Sequence, residues 1–301
     1  MPDFQSLMLP LLKIASDSEE HSMPEARECL AKELSLNNDD LKEMLPSGRQ
    51  TKFGNRVAWA KVYLYQAGLL ESPRRGIFKI SENGRKVLSN PPEKITIKYL
   101  EQFPEFLEFR YKRKGNRTTK TNMDDDAQSE TPEEALEQAA ENLRDELAQQ
   151  LIKQIKNNSS GFFERLVVEL LVKMGYGGSI KDAGQAIGQS GDEGIDGIIK
   201  EDKLGLDLIY LQAKRWEASV GRPELQKFVG ALHGKRAKKG VFITTSSFSH
   251  QAVDYVNQVD PNIVLIDGER LVDLMIDYNL GVSVESTIEI KKIDSDYFIE
   301  E

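Results

Sequence analysis

"GIDGIIKEDKLGLDLIYLQAKRW", residues 194–216, sets polar groups where a buried strand rarely carries them. Asp196 lies among Ile and Gly. The run from Leu204 to Leu211 is rich enough in Leu, Ile and Tyr to be a core strand, yet it finishes on Gln212, Ala213, Lys214 and Arg215. Burying such groups costs several kcal/mol unless they are paired or hold a metal. They therefore cap a structural network or face a site. Gln212 and Lys214 are two apart, so they share one face of their strand.

The surrounding sequence makes this strand pair part of an alternating domain. "GFFERLVVELLVKMGY" (161–176) has the spacing of an amphipathic helix. "GGSIKDAG" predicts a short edge strand, and Lys203-Leu204-Gly205 a turn between the two strands quoted above. "GRPELQKFVGALHGKRA" (221–237) predicts a helix with Pro223 in its first turn, where proline is tolerated. "KGVFITTSS" and "NIVLID" predict strands, "FSHQAVDYVNQV" and "GERLVDLMIDYN" helices. The order αβββαβαβα describes an α/β domain, a mixed sheet flanked by helices.

The N-terminal block has a different pattern. "MPEARECLAKELSL" (23–36), "NNDDLKEML" and "TKFGNRVAWAKVYLYQAGLLE" (51–71) predict three helices. The third turns Val57, Ala60, Leu64 and Ala67 to one side and exposes Lys52, Arg56 and Lys61. "LLESPRRGIFKIS" predicts two short strands around a turn that carries Arg74 and Arg75, followed by a short helix in "SENGRKVLSNP". Three helices and then a hairpin with a basic tip is the order of a winged helix. Its third helix enters the major groove and its wing touches backbone. The plainer alternative is a small helical domain with solvated lysines.

The predicted organisation is a mostly α winged-helix DNA-binding domain over 1–112, an acidic flexible linker over 113–133, a connecting helix over 134–158 and the α/β domain over 159–301. The net charge of −9 conceals an uneven distribution: residues 42–86 hold ten basic and three acidic side chains, whereas 121–150 hold one basic and ten acidic. A basic patch attracts phosphate regardless of acidic sequence more than a Debye length away. No apolar run approaches the ~20 residues of a membrane span. The N-terminus lacks the features of a signal peptide. Cys29 is the only cysteine, which fits a reduced, cytoplasmic setting and excludes a cysteine-rich zinc site.

Asp196, the amide oxygen of Gln212 and the backbone carbonyl of Ala213 are ligands suited to a hard cation such as Mg²⁺. Lys214 beside them would position an attacking water or offset transition-state charge. Asp-x15-Gln-x-Lys resembles the PD-(D/E)xK nuclease signature in the variant where Gln replaces the second acid. "GDEGIDG", "YLQAKRW", "VGRPELQ" and "GVFITTSSFS" together resemble the Mrr-type restriction endonucleases. The resemblance covers nearly the whole chain and is most specific over 157–285.

It implies a restriction-endonuclease-like fold with an αβββαβ core, metal-dependent cleavage of phosphodiesters and a preference for double-stranded DNA carrying methylated bases. It makes Asp196, Gln212 and Lys214 the catalytic core. Glu164 becomes the acid on the first helix that completes the metal shell, its alternative being a solvated carboxylate near a helix start. Asp192 and Glu193 are loop or DNA-facing groups, and Trp216 stacks on a base or covers the core. Severing both strands takes two such sites, so a dimer or tetramer is expected.

"GALHGK" (230–235) departs from a phosphate loop, so ATP is not expected. His21, His233 and His250 are too dispersed for a metal site, and Thr244 to Ser247 either contact phosphate at a strand's end or, the plainer role, cap the next helix. The rival reading is a DNA-binding regulator whose nuclease-like domain only oligomerises.

Overall fold

Phe53, Val57, Ala60 and Leu64 recur at helical spacing, and the burial of all four fixes how their helix sits in the N-terminal half. The structure, a computed structural model, describes residues 1–114, 130–177, 194–202, 206–291 and 293. The chain divides into two compact units, Met1–Leu143 and Arg144–Glu301.

The first unit runs α1 (Phe4–Ile14), β1 (His21–Ser22), α2 (Met23–Glu33), α3 (Asn38–Lys42), α4 (Lys52–Gln66), β2 (Leu70–Glu71), β3 (Ile77–Ile80), α5 (Glu82–Ser89), α6 (Ile97–Leu100) and α7 (Pro104–Lys114). This is the winged-helix order with three helices, α1, α6 and α7, beyond those the sequence suggested. Helix α1 is capped by Asp3, which accepts the Ser6 N–H, and it buries Leu7, Leu11 and Leu12. Pro10 lies inside it and masks its helical pattern.

Helix α4 runs to Gln66, and Gly68, the residue whose type marks the helix end in the sequence, takes a left-handed φ of +68° and turns the chain into β2. Strand β3 pairs with β2 on one side and β1 on the other. One core extends from Phe4 to Phe106 and includes Phe53, Val57, Leu64 and Phe78.

Helix α8 (Pro132–Asn157) gives its first turns to the first unit and its last to the second. The second unit continues with α9 (Ser160–Lys173), β4 (Gly197–Lys200), β5 (Leu208–Lys214), α10 (Arg222–Gly234), β6 (Lys239–Thr244), α11 (His250–Val256), β7 (Asn262–Ile266) and α12 (Gly268–Asp277). The sheet order is β4-β5-β6-β7. The first pair is antiparallel and the other two are parallel, so the sheet is mixed.

Ile209, Leu211 and Ala213 of β5 pack with α9, α12 and the end of α8. On the opposite face Phe242 packs with α10 and α11. The period-2 burial of β5 thus serves two helical layers, which is why its apolar run is nearly continuous. The expected strand in "GGSIKDAG", the Lys203-Leu204-Gly205 turn and most of the linker lie outside the described residues. Among the described residues no helix is long and apolar enough to cross a membrane.

Candidate active site

The β4–β5 register places Gly197 opposite Leu211. Asp196 directly precedes β4, and its N–H donates to the Leu211 carbonyl at 2.8 Å. The Asp196 carboxylate also accepts the Ala213 N–H at 2.8 Å through Oδ2. Leu211 and Ala213 turn their backbone groups toward β4, as alternation along the strand requires, so the Ala213 carbonyl lies on the Asp196 side.

Gln212 is 4% exposed, and its Oε1 is buried with no hydrogen-bond partner among the described residues. An orphaned acceptor of this kind costs about 1–3 kcal/mol. Gly194 approaches the same amide: a Cβ built on it stands 3.0 Å from Gln212 Nε2, and its φ is +98°. A side chain at 194 would be strained by the backbone and would press on the Gln212 amide.

Glu164 lies in the second turn of α9, half-buried. Burial raises its carboxyl pKa above the usual range, and the negative charge of Asp196 raises it further. Lys214 and Arg165 act in the opposite direction. Glu164, Asp196 and Lys214 are thus close enough to feel one another's charge. Lys214 makes no ion pair among the described residues and is half-buried. No group of three or more His, Cys, Asp or Glu suited to a metal occurs among the described residues. The available donors are two carboxylates, one unsatisfied amide oxygen and a main-chain carbonyl. Oxygen donors of mixed charge suit Mg²⁺, which keeps several waters.

The threonine-serine run does work that the sequence reading missed. Thr244 Oγ1 donates to the Lys214 carbonyl at 2.9 Å, Thr245 Oγ1 to that of Trp216 at 2.8 Å and Ser246 Oγ to that of Glu217 at 3.0 Å. These hydroxyls clamp the chain leaving β5. Capping of α11 falls instead to Ser249, which accepts the Ala252 N–H. Arg215 donates to the Lys156 carbonyl at 2.7 Å, a second tether on the same segment. Four consecutive hydroxyl residues at a strand end were the available signal.

Trp216 is exposed, which removes the core-covering alternative. Asp192 and Glu193 lie outside the described residues. His21 and His250 pair with Asp17 and Asp254, each one helical turn away in sequence.

The basic residues of the first unit are less free than the sequence suggested. Arg56 is the clear correction: it is 8% exposed, with Nε on Glu134 at 2.8 Å and Nη1 on the Pro2 carbonyl at 2.8 Å. The exposed position expected for it is filled by the start of α8. Lys52 pairs with Glu43 at 3.0 Å. Lys61 lies over the Phe78 ring, 5.9 Å from its centroid, and burial lowers its pKa. Arg74 and Arg75 are exposed at the hairpin tip, Arg74 in an ion pair with Glu20 at 2.8 Å.

Two family models match the chain: "Restriction endonuclease" over residues 155–275 and "Mrr N-terminal domain" over residues 4–90. The type IV methyl-directed restriction enzyme EcoKMrr of Escherichia coli (strain K12) is 38% identical over 309 residues, covering 99% of each chain. Two solved structures are similar over smaller parts. The DNA modification-dependent restriction endonuclease AspBHI is 21% identical and covers 46% of this chain and 36% of its own, with a TM-score of 0.34. The MspJI restriction endonuclease in complex with a 27-mer oligonucleotide is 26% identical and covers 46% and 33%, with the same score. At that score neither adds weight. Identity across nearly the full length, with one family model in each unit, establishes that the chain belongs to the Mrr-type restriction endonucleases.

Proposed function

We propose that the protein hydrolyses phosphodiester bonds of duplex DNA carrying modified, methylated bases, with Mg²⁺ held by Asp196, Gln212, the Ala213 carbonyl and Glu164. The observation that carries this reading is the buried Gln212 Oε1, unsatisfied on the same strand end as Lys214 and beside Ala213, whose N–H holds Asp196. A structural amide would be hydrogen-bonded; an acceptor awaiting a cation need not be. The similarity to a methyl-directed relative supports the substrate class.

Each residue has a distinct task. Asp196 is held rigid by the Ala213 N–H, so its remaining lone pairs keep one direction. Glu164 and Asp196 repel each other, and a bound cation relieves that repulsion. When bound, Mg²⁺ supplies charge stabilisation at the phosphoryl oxygens and a more acidic water. Lys214 places its ammonium at this site. There it orients the attacking water or donates to a phosphate oxygen as charge develops. The hydroxyl clamp on the Lys214 and Trp216 carbonyls keeps the ammonium from drifting.

Duplex DNA is received by the first unit through α4 and the hairpin tip, with Lys52, Lys61, Arg74 and Arg75 as phosphate contacts. Two copies act together, since one site severs one strand. The protein works in the cytoplasm, where DNA and reduced thiols coexist. The test is a Mg²⁺ titration of matched methylated and unmethylated plasmids, with wild type and Lys214→Ala. Wild type should cut the methylated plasmid in proportion to Mg²⁺, and Lys214→Ala should cut at least about 10³-fold more slowly while binding DNA unchanged. Binding without cleavage by wild type would make the protein a regulator instead. Equal cutting by the variant would remove Lys214 from the chemistry.

A further inference from the structure

The outer side of α4 is covered by the chain itself. Phe53, Val57, Ala60 and Leu64 face the core, so at 3.6 residues per turn Asn55 and Val62 point the other way, with Trp59 at the edge of the core. In a winged helix this outer side is the one that meets a DNA groove. Val62 is 37% exposed, as expected there, yet Asn55 two turns earlier is 3% exposed. What covers Asn55 and its neighbour Arg56 is the start of α8.

The covering groups are mainly carboxylates. Glu137 accepts the Ser47 N–H through one oxygen and the Ser47 hydroxyl through the other, each at 2.8 Å. Glu134 accepts from Arg56 Nε at 2.8 Å, and Glu133 accepts the indole N–H of Trp59. Thr131 Oγ1 donates to Asn55 Oδ1. The donors engaged are a backbone N–H, a hydroxyl, a guanidinium and an indole N–H. Groups of this kind, the first three above all, bind phosphate oxygens on DNA. The contact is not close-packed: a 220 Å³ cleft remains between them, lined by Lys52, Arg56, Glu134 and Gln138 among others. A polar, partly open contact is weakened by salt and by competing anions, unlike an apolar one.

We propose that Thr131–Glu137 is an autoinhibitory strap whose three carboxylates occupy the donors that α4 and the preceding turn offer to DNA phosphates. Duplex DNA must displace the strap to reach that side of α4. This inference rests on the reading that the first unit binds DNA through α4.

The test uses the full chain with EDTA to prevent cleavage and a fluorescein-labelled duplex read by anisotropy across a salt series. The triple variant Glu133→Gln/Glu134→Gln/Glu137→Gln should bind about tenfold more tightly than wild type at low salt, with a steeper salt slope from the added phosphate contacts. Neutralising three exposed acids further along α8, Glu141→Gln/Asp145→Asn/Glu146→Gln, controls for net charge and should gain no more than about twofold. An equal gain in both triples, or none in the first, overturns the strap. Should the first triple melt early because Arg56 has lost its partner, Glu137→Gln alone carries the test, since its contact with Ser47 is exposed; a gain of about threefold is expected. Lys52→Ala separates the two ideas. If it weakens binding while the strap variants gain nothing, only the strap fails. If neither changes affinity, the reading of α4 as the DNA surface fails with it.

Discussion

Gln212 carries an unusual combination: a polar group 4% exposed, with its oxygen unsatisfied, on a strand where apolar residues would pack better. Replacing it separates stability from function. Gln212→Leu removes the orphaned oxygen at similar volume, so the metal-free protein should melt no earlier, and up to about 1 kcal/mol later. Its Mg²⁺ requirement for plasmid cleavage should rise sharply. Gln212→Glu adds a charged ligand and should lower that requirement, since hard cations favour carboxylate over amide. Wild-type metal dependence in Gln212→Leu would make the residue packing.

Glu164 gives a second residue-scale prediction, with its sign set by linkage. Its folded pKa is raised by burial and by Asp196. The folded chain therefore holds that proton more tightly than the unfolded chain does. The ionised carboxylate weakens the fold above the raised pKa, and the penalty lifts as pH falls through it. In EDTA, Glu164→Gln should melt later than wild type near pH 7.5, and the two should converge as acid protonates Glu164. Cleavage by the variant should fall at least tenfold, the scale of losing one charged group at the chemistry. Identical melting at both pH values would separate Glu164 from Asp196.

At the scale of elements, the site depends on β5 being held at its end. Thr244 is fully buried; its hydroxyl donates to the Lys214 carbonyl and accepts the Ser246 N–H at 3.2 Å. Thr244→Val keeps the shape and removes both bonds. It should cost about 1–2 kcal/mol in thermal or denaturant unfolding and lower the cleavage rate while leaving the KM for DNA unchanged. A raised KM with an unchanged rate would show that the clamp serves binding rather than the placement of Lys214.

At the scale of the whole molecule, the uneven charge suggests where DNA affinity resides. All the buried core residues of the first unit lie between Phe4 and Phe106, so a fragment ending at residue 112 retains that core while lacking the start of α8. It should bind duplex DNA with a steep salt dependence, and more tightly than a fragment ending at residue 143. Equal affinities would show that the acidic start of α8 has no hold on the DNA surface. Failure of both fragments to bind would move DNA recognition to the second unit.

The sequence alone determined the strand pair, the helix-strand alternation of the second half and the hairpin, and it singled out Asp196, Gln212 and Lys214. All of these rest on periodicity or short spacing, which local chain geometry translates directly into faces and registers. Glu164, 32 positions before Asp196, entered through resemblance to a family, and the structure brings its charge within reach of Asp196 and Lys214. Helix α1 escaped because Pro10 interrupts its pattern. The hydroxyl clamp escaped because Thr244 and Lys214 meet only through the β5–β6 register, 30 residues apart. Arg56 was misplaced for the same reason on a longer scale: helical spacing indicates which way a side chain points, but not what is packed there. Its cover comes from Glu134, 78 residues on. Burial of a charge by so distant a partner is a property of the folded chain, which only the tertiary structure decides.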